Sequence, residues 1–153
     1  MIVVGTQAPD FTLMREPREF VNLTEARDGG AAVILFFPFA YSSTCTDELC
    51  AMAKDYARYG DLGASVFGIS VDSPWANQRF AQDLDVPFAL LSDFNKEASA
   101  AYGVLTDMGP FKGVSDRTAF VIAPDGTVAW NWKAPNPSVE PPYDEIEAAL
   151  ESL

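Results

Sequence analysis

An unbroken apolar run, Val33-Ile34-Leu35-Phe36-Phe37, ends on Pro38 and is followed within a few residues by the helix-opening pair Ser42-Ser43. Together with Ala32, a run rich in β-branched and aromatic residues reads as a central strand buried on both faces. A strand of that kind needs sheet neighbours on either side and helices above and below it. The junction that follows carries Cys45, and the only other cysteine is Cys50; the chain has no histidine. A thiol placed where a strand gives way to a helix can be made acidic by the helix N-terminus instead of by an imidazole. The junction therefore points to thiol redox chemistry.

The rest of the chain alternates in the same sense. Phe11–Met14 and Phe20–Leu23 flank a charged turn and read as an opening hairpin, broken by Asp28-Gly29-Gly30. Ser42 to about Tyr59 reads as one helix, capped by Ser42 or Ser43, with Asp47 and Glu48 in its first turn. Ser65–Val71 is a second buried strand. Ser73-Pro74 opens another helix running to about Leu84. Val86–Leu91 reads as a short strand and Asn95–Tyr102 as a short helix, and residues 104–116 show no clear period. Thr118–Ile122 and Thr127–Trp132 flank the turn Pro124-Asp125-Gly126 as a second hairpin. A proline-rich stretch, Ala134–Pro142, leads into a closing helix. This order predicts a thioredoxin-like α/β fold: a mixed central sheet with helices on both faces, an N-terminal β-hairpin, and an antiparallel edge from the last hairpin. All of residues 1–153 are expected to form a single domain, since neither linker nor repeat is visible.

Composition excludes several function classes. With 10 basic against 22 acidic residues the net charge is −12, which argues against nucleic acid and against anionic membranes as partners. It is consistent with a solvated acidic face or a salt-adapted host, and it leaves a small neutral substrate open. No apolar run is long enough to span a bilayer, and Met1–Gly5 is too short and uncharged for a signal peptide. The expected compartment is the cytoplasm, where two cysteines read as catalytic or incidental and not as a structural bridge. Two cysteines without histidine make a poor metal-ligand set.

At this point the residues carry a family resemblance. Pro38-x-x-x-Ser42-x-x-Cys45 resembles the peroxiredoxin signature Pro-x-x-x-Thr/Ser-x-x-Cys, with serine where the family more often has threonine. Arg117, at the entry to Thr118–Ile122, matches the family's active-site arginine. Cys45-Thr46-Asp47-Glu48-Leu49-Cys50 resembles the spacing of the peroxiredoxin Q, or bacterioferritin comigratory protein, group. Gly68–Pro74, Leu90–Asp93 and Ala101–Val104 are similar instead to the alkyl hydroperoxide reductase E type. The resemblance runs from about Val4 to the C-terminus.

It implies a thiol peroxidase reducing hydrogen peroxide and organic hydroperoxides, with Cys45 as peroxidatic thiolate and no cofactor or metal. Cys45 in a first helical turn would face unpaired backbone N–H groups. Arg117 would add a permanent charge and a rigid fork of donors. Ser42 would bond a peroxide oxygen. Pro38, which has no N–H, would form an apolar wall, completed by Phe39 and Tyr41 as a shallow collar. Glu48 either favours the helix N-terminus or supports the arginine. The implied cycle runs through a sulfenic acid at Cys45, a disulfide with Cys50, and reduction by a thioredoxin-like dithiol or a low-molecular-weight thiol. Residues five apart in a helix are separated by about 7.5 Å of rise and point apart, so a Cys45–Cys50 bond requires the first turns to unwind.

Other readings stay open. Cys50 also fits a small buried hydrophobe, which would leave a one-cysteine peroxidase reduced by an external thiol. A non-enzymatic redox sensor would use the same reactive thiol. A thioredoxin-type oxidoreductase would want Cys-x-x-Cys, which is absent. Arg117 also fits a surface position at a strand end. Trp130 and Trp132 share a strand face and read as packing residues, and Trp75 as a candidate subunit contact. The assembly expected is a monomer or weak homodimer.

Overall fold

The computed structural model describes residues 1–153. In chain order the elements are β1 (Thr12–Glu16), β2 (Glu19–Asn22), α1 (Leu23–Arg27), β3 (Ala31–Phe36), α2 (Ser43–Lys54), α3 (Tyr56–Asp61), β4 (Ala64–Ser70) and α4 (Pro74–Leu84). There follow β5 (Ala89–Ser92), α5 (Glu97–Ala101), β6 (Leu105–Met108), β7 (Phe111–Ser115), β8 (Thr118–Ile122), β9 (Val128–Lys133) and α6 (Tyr143–Glu151).

β3 is buried at every position and lies inside a seven-stranded sheet of order β2-β1-β5-β4-β3-β8-β9. It pairs in parallel with β4 and antiparallel with β8, and β4 pairs in parallel with β5. The period of two along a strand divides its side chains between two cores. Val33, Leu35 and Phe37 pack with Leu49 and Met52 of α2, Phe80 of α4 and Ile146 of α6. Ala32, Ile34 and Phe36 pack on the other face with Phe67, Tyr102 and Phe120. Each such side chain removed from water contributes roughly 1.5–3 kcal/mol. The mixed sheet, the two covered faces and the N-terminal hairpin are those expected from the alternation of the sequence.

Close packing sets where α2 sits. A Cβ added at Gly68 of β4 would fall 2.6 Å from Leu90 Cδ2 and 3.5 Å from Leu49 Cδ2. Glycine at that position lets the helix carrying Cys45 approach the sheet.

Several boundaries differ from those expected. The helix expected over Ser42–Tyr59 is two helices, because Asp55 (φ −100°, ψ 12°) departs from helical geometry between α2 and α3. Asp47 and Glu48 lie beyond the first turn of α2, since the helix begins at Ser43. The strand expected over Phe20–Leu23 lies one residue earlier, at Glu19–Asn22, because Asn22 caps α1 through its side chain. The strand expected over Val86–Leu91 is shifted to Ala89–Ser92. Residues 104–116, without a legible period, form the β6–β7 hairpin, a separate two-stranded sheet whose turn uses Gly109 at φ 57°.

Candidate active site

The site forms where β3 ends and α2 begins. Ser42 is the N-cap of α2, with extended backbone (φ −71°, ψ 151°). Its carbonyl accepts from Thr46 N and from Thr46 Oγ1, each at 2.9 Å, while its hydroxyl makes no capping bond. Cys45 is the third residue of the helix and has no exposed surface. Cys50 lies on the exposed side of the same helix, and both cysteines are free thiols. Helical periodicity separates them: Cys45 and Glu48, three apart, share the buried face, while Cys50 turns outward.

Sheet register explains why a residue far along the chain meets Cys45. The antiparallel pairing of β3 with β8 sets Phe36 opposite Thr118. Arg117, one residue earlier, therefore arrives at the end of β3 where the Cys45 segment starts. Its side chain is nearly fully buried. Nη2 donates to Cys45 Sγ at 3.3 Å, Nη1 donates to Glu48 Oε2, and Nε donates to the carbonyl of Pro137 at 3.0 Å. The guanidinium is thus held by three different segments, and its rigid fork fits all of them at once. Pro137 lies in the proline-rich stretch before α6, so the closing part of the chain supports the arginine from behind.

Glu48 is wholly buried, and its Oε1 has no hydrogen-bond partner. Burial pushes its carboxyl up to about 7, against the opposing pull of Arg117. Arg117 itself is held above its ordinary value: burial works against its charge, but Glu48 and Cys45 outweigh that. Nearby, Tyr143 donates to Glu140 Oε1 at 2.7 Å, and burial raises the phenol. Glu48 is thus a partner of the arginine, not a charge on the helix N-terminus.

The loop from Pro38 to Tyr41 closes the other side. Pro38 is buried, and Phe39 meets Phe111 of the β6–β7 hairpin edge-on, with ring centroids 4.9 Å apart. Ala40 N donates to Asp72 Oδ2 at 2.9 Å, and Ser70 Oγ donates to the same oxygen at 2.7 Å. Tyr41 donates to Asp83 Oδ2 at 2.9 Å. Cys45, Glu48 and Arg117 therefore meet directly, Pro38 and Ser42 lie in the segment that leads into α2, and Cys50 stands apart on the outer face. Trp75 is exposed. It lines a groove of about 470 Å³ with Met14, Phe20 and Phe94 that includes none of these residues. Trp130 and Trp132 pack against the core cluster beneath α2.

Asp72, Pro137, Phe111 and Asp83 were not singled out from the sequence. Asp72 was findable, since sites in open α/β sheets lie beyond the carboxyl ends of the strands and Asp72 follows β4. No side chains converge as a metal-ligand set.

Residues 4–131 match the model of the AhpC/TSA family. Over 135 residues the chain is 35% identical to a peroxiredoxin bcp of Coxiella burnetii, covering 86% of this chain and 88% of that protein. It is 34% identical to the chloroplastic peroxiredoxin Q of Gentiana triflora, covering 81% of this chain and 56% of that longer one. Among solved structures, peroxidoxin BcpB from Mycobacterium tuberculosis superposes with a TM-score of 0.89 at 26% identity, covering 100% of this chain and 99% of that one. Peroxiredoxin Q of Xanthomonas campestris shares the fold with a TM-score of 0.80 at 24% identity, covering 93% of this chain and 90% of that one. With the family model matching most of its length and a curated relative at 35% identity over most of both chains, the chain belongs to the AhpC/TSA family of peroxiredoxins.

Proposed function

We propose that this thiol peroxidase reduces hydroperoxides through Cys45, with Arg117 and Ser42 binding the peroxide, Pro38 excluding water, Glu48 orienting the arginine, and Cys50 resolving the sulfenic acid. The observation that carries the reading is the 3.3 Å contact from Arg117 Nη2 to Cys45 Sγ in the first turn of α2. That turn and the guanidinium both favour negative charge on sulfur. The thiolate attacks the terminal peroxide oxygen, the O–O bond breaks, and the alkoxide or hydroxide takes a proton and leaves as alcohol or water. Charge moves from sulfur toward the departing oxygen, where fixed donors do most good. The Ser42 hydroxyl, not engaged in capping, is available for that oxygen.

Cys45 then carries a sulfenic acid. Cys50 attacks it, water leaves, and an intramolecular disulfide joins them. A thioredoxin-like dithiol returns both thiols by exchange. The exposure of Cys50 supports a role in meeting an external reductant. The whole of residues 1–153 acts in this reading as one soluble cytoplasmic unit, a monomer or weak homodimer; no helix is long and apolar enough to cross a membrane.

Counting thiols after one equivalent of peroxide tests the assignment. Wild type should lose two thiols and gain a bond between residues 45 and 50. Cys45→Ser should not react, because serine is a far weaker nucleophile. Cys50→Ser should consume the first equivalent, stop at a sulfenic acid that dimedone traps, and over-oxidise readily. Wild-type turnover with thioredoxin by Cys50→Ser would make the chain a one-cysteine peroxidase.

A further inference from the structure

Tyr41 is the residue immediately before the cap of α2, and its backbone lies in the left-handed region at φ 67°. That conformation is an outlier for a bulky aromatic residue and persists only where the surroundings impose it. Here the surroundings are on another helix. Tyr41 Oη donates to Asp83 Oδ2 at 2.9 Å, and its ring lies 4.7 Å from that of Phe80, which is wholly buried on α4. Asp83 is fixed in turn by Arg79, whose Nε reaches Oδ1 at 2.8 Å one turn earlier. The first turn of α2 has no side-chain cap of its own. Its entry is held from outside, through Tyr41 to α4 and through Ala40 to Asp72.

We propose that Tyr41 is a positioning residue that latches the first turn of α2 to α4, and that breaking its bond to Asp83 releases Cys45 toward Cys50. The latch itself stands on the geometry. Its consequence for turnover rests on the reading of Cys50 as the resolving thiol. In the resolving step the Cys50 sulfur attacks the Cys45 sulfenic sulfur, the S–S bond forms, the S–O bond breaks, and the hydroxide takes the thiol proton to leave as water. Cys45 has to quit its buried position first, since Cys50 faces the other way. While the latch is closed the sulfenic acid stays beside Arg117, where a second peroxide converts it to sulfinic acid. The latch therefore partitions each sulfenic acid between disulfide and over-oxidation. The left-handed backbone at Tyr41 opposes the hydrogen bond: once the side chain lets go, the backbone relaxes, and opening is favoured.

Tyr41→Phe tests this with little disturbance, because it keeps the ring on Phe80 and removes only the hydroxyl. Asp83→Ala removes the acceptor from the opposite side and lies outside the peroxide site. Amide exchange of the reduced protein should accelerate over residues 42–46 by about three- to tenfold in either variant, the range one net hydrogen bond supports. The double variant should add nothing further. With one equivalent of peroxide, Asp83→Ala should form the disulfide faster by a similar factor and leave less sulfinic acid under excess peroxide. Unchanged exchange, additive effects in the double variant, or acceleration spread equally over β3 and α4 would overturn the latch. Faster local exchange with no bond between residues 45 and 50 in any variant would uphold the latch and sink the resolving role of Cys50 instead.

Discussion

Cys45 and Glu48 lie one turn apart on the buried face of α2 and draw on the same cation, since Arg117 gives Nη2 to the sulfur at 3.3 Å and Nη1 to the carboxylate. In the proposed reaction the arginine therefore has a structural task and a chemical one, and mutation can pull the two apart.

Arg117→Ala removes the cation paired with Glu48 and leaves that carboxyl unpaired in the core. A loss of roughly 3–5 kcal/mol is expected in denaturant unfolding. Replacing both groups, Arg117→Ala with Glu48→Leu, should recover most of that stability, because no charge is left buried. The first peroxide step should stay slow in the double variant, by about a hundredfold in stopped-flow measurements. Recovery of rate together with stability would reduce Arg117 to a core ion-pair partner.

Glu48 also sets a pH window. Its carboxyl is raised from 4.5 to about 7 in the folded chain, so between these values the folded state holds a proton that the unfolded state has lost. Stability from this group is fully present below about 4.5, falls as pH rises toward 7, and is flat above that. The difference is on the order of 3 kcal/mol. Glu48→Gln removes the titration. Relative to wild type it should therefore gain stability progressively from pH 4.5 to 7. A difference between the two proteins that does not vary over this range would contradict the burial argument.

Asp72 is expected to act through the loop and not through the sulfur. Asp72→Ala leaves the Ala40 N–H without its acceptor, at a cost of about 1–3 kcal/mol. The Pro38–Tyr41 wall should shift, and the first peroxide step should slow by about tenfold. Asp72→Asn, which retains an acceptor oxygen, should restore much of the rate. If both substitutions leave the rate unchanged, the loop does not need that anchor.

Oxidation should be visible as lost helix. A bond between residues 45 and 50 cannot be built on the intact α2. Far-UV circular dichroism should therefore lose helical signal after one equivalent of peroxide and regain it on reduction. Amide exchange should accelerate over residues 42–54 and little in β3 or β8. Retention of full helicity in a protein with a proven 45–50 bridge would refute the unwinding argument.

The parts of the fold readable in advance were those dominated by burial and turn chemistry. Val33–Phe37 announces a central strand because no solvated strand tolerates such a run, and Ser73-Pro74 announces a helix because both residues suit its first positions. The β6–β7 hairpin was illegible because it stands outside the main sheet and its large apolar residues Leu105 and Phe111 are largely exposed, so apolar residues do not mark its covered side. The Asp55 break was illegible because nothing in Ala53-Lys54-Asp55-Tyr56 forbids a helix; the packing of α3 under β4 decides it. At the site, Pro38, Ser42 and Cys45 share one short segment, and the resemblance supplied Arg117. The contacts of Asp72, Asp83 and Pro137 depend on three-dimensional closure, which no local pattern encodes.

The interruption at Asp55 has a bearing on how far damage can travel. Helix fraying advances residue by residue along a continuous ladder, and short helices hold mainly through tertiary packing. α2 stops at Lys54, and α3 starts afresh at Tyr56 with its own buried anchor, Tyr59. A melt begun at Ser42 therefore meets a boundary one helix later. On the proposed cycle, the segment that carries both thiols can be given up in each round while the sheet and α3 remain folded beneath it, ready to template its return.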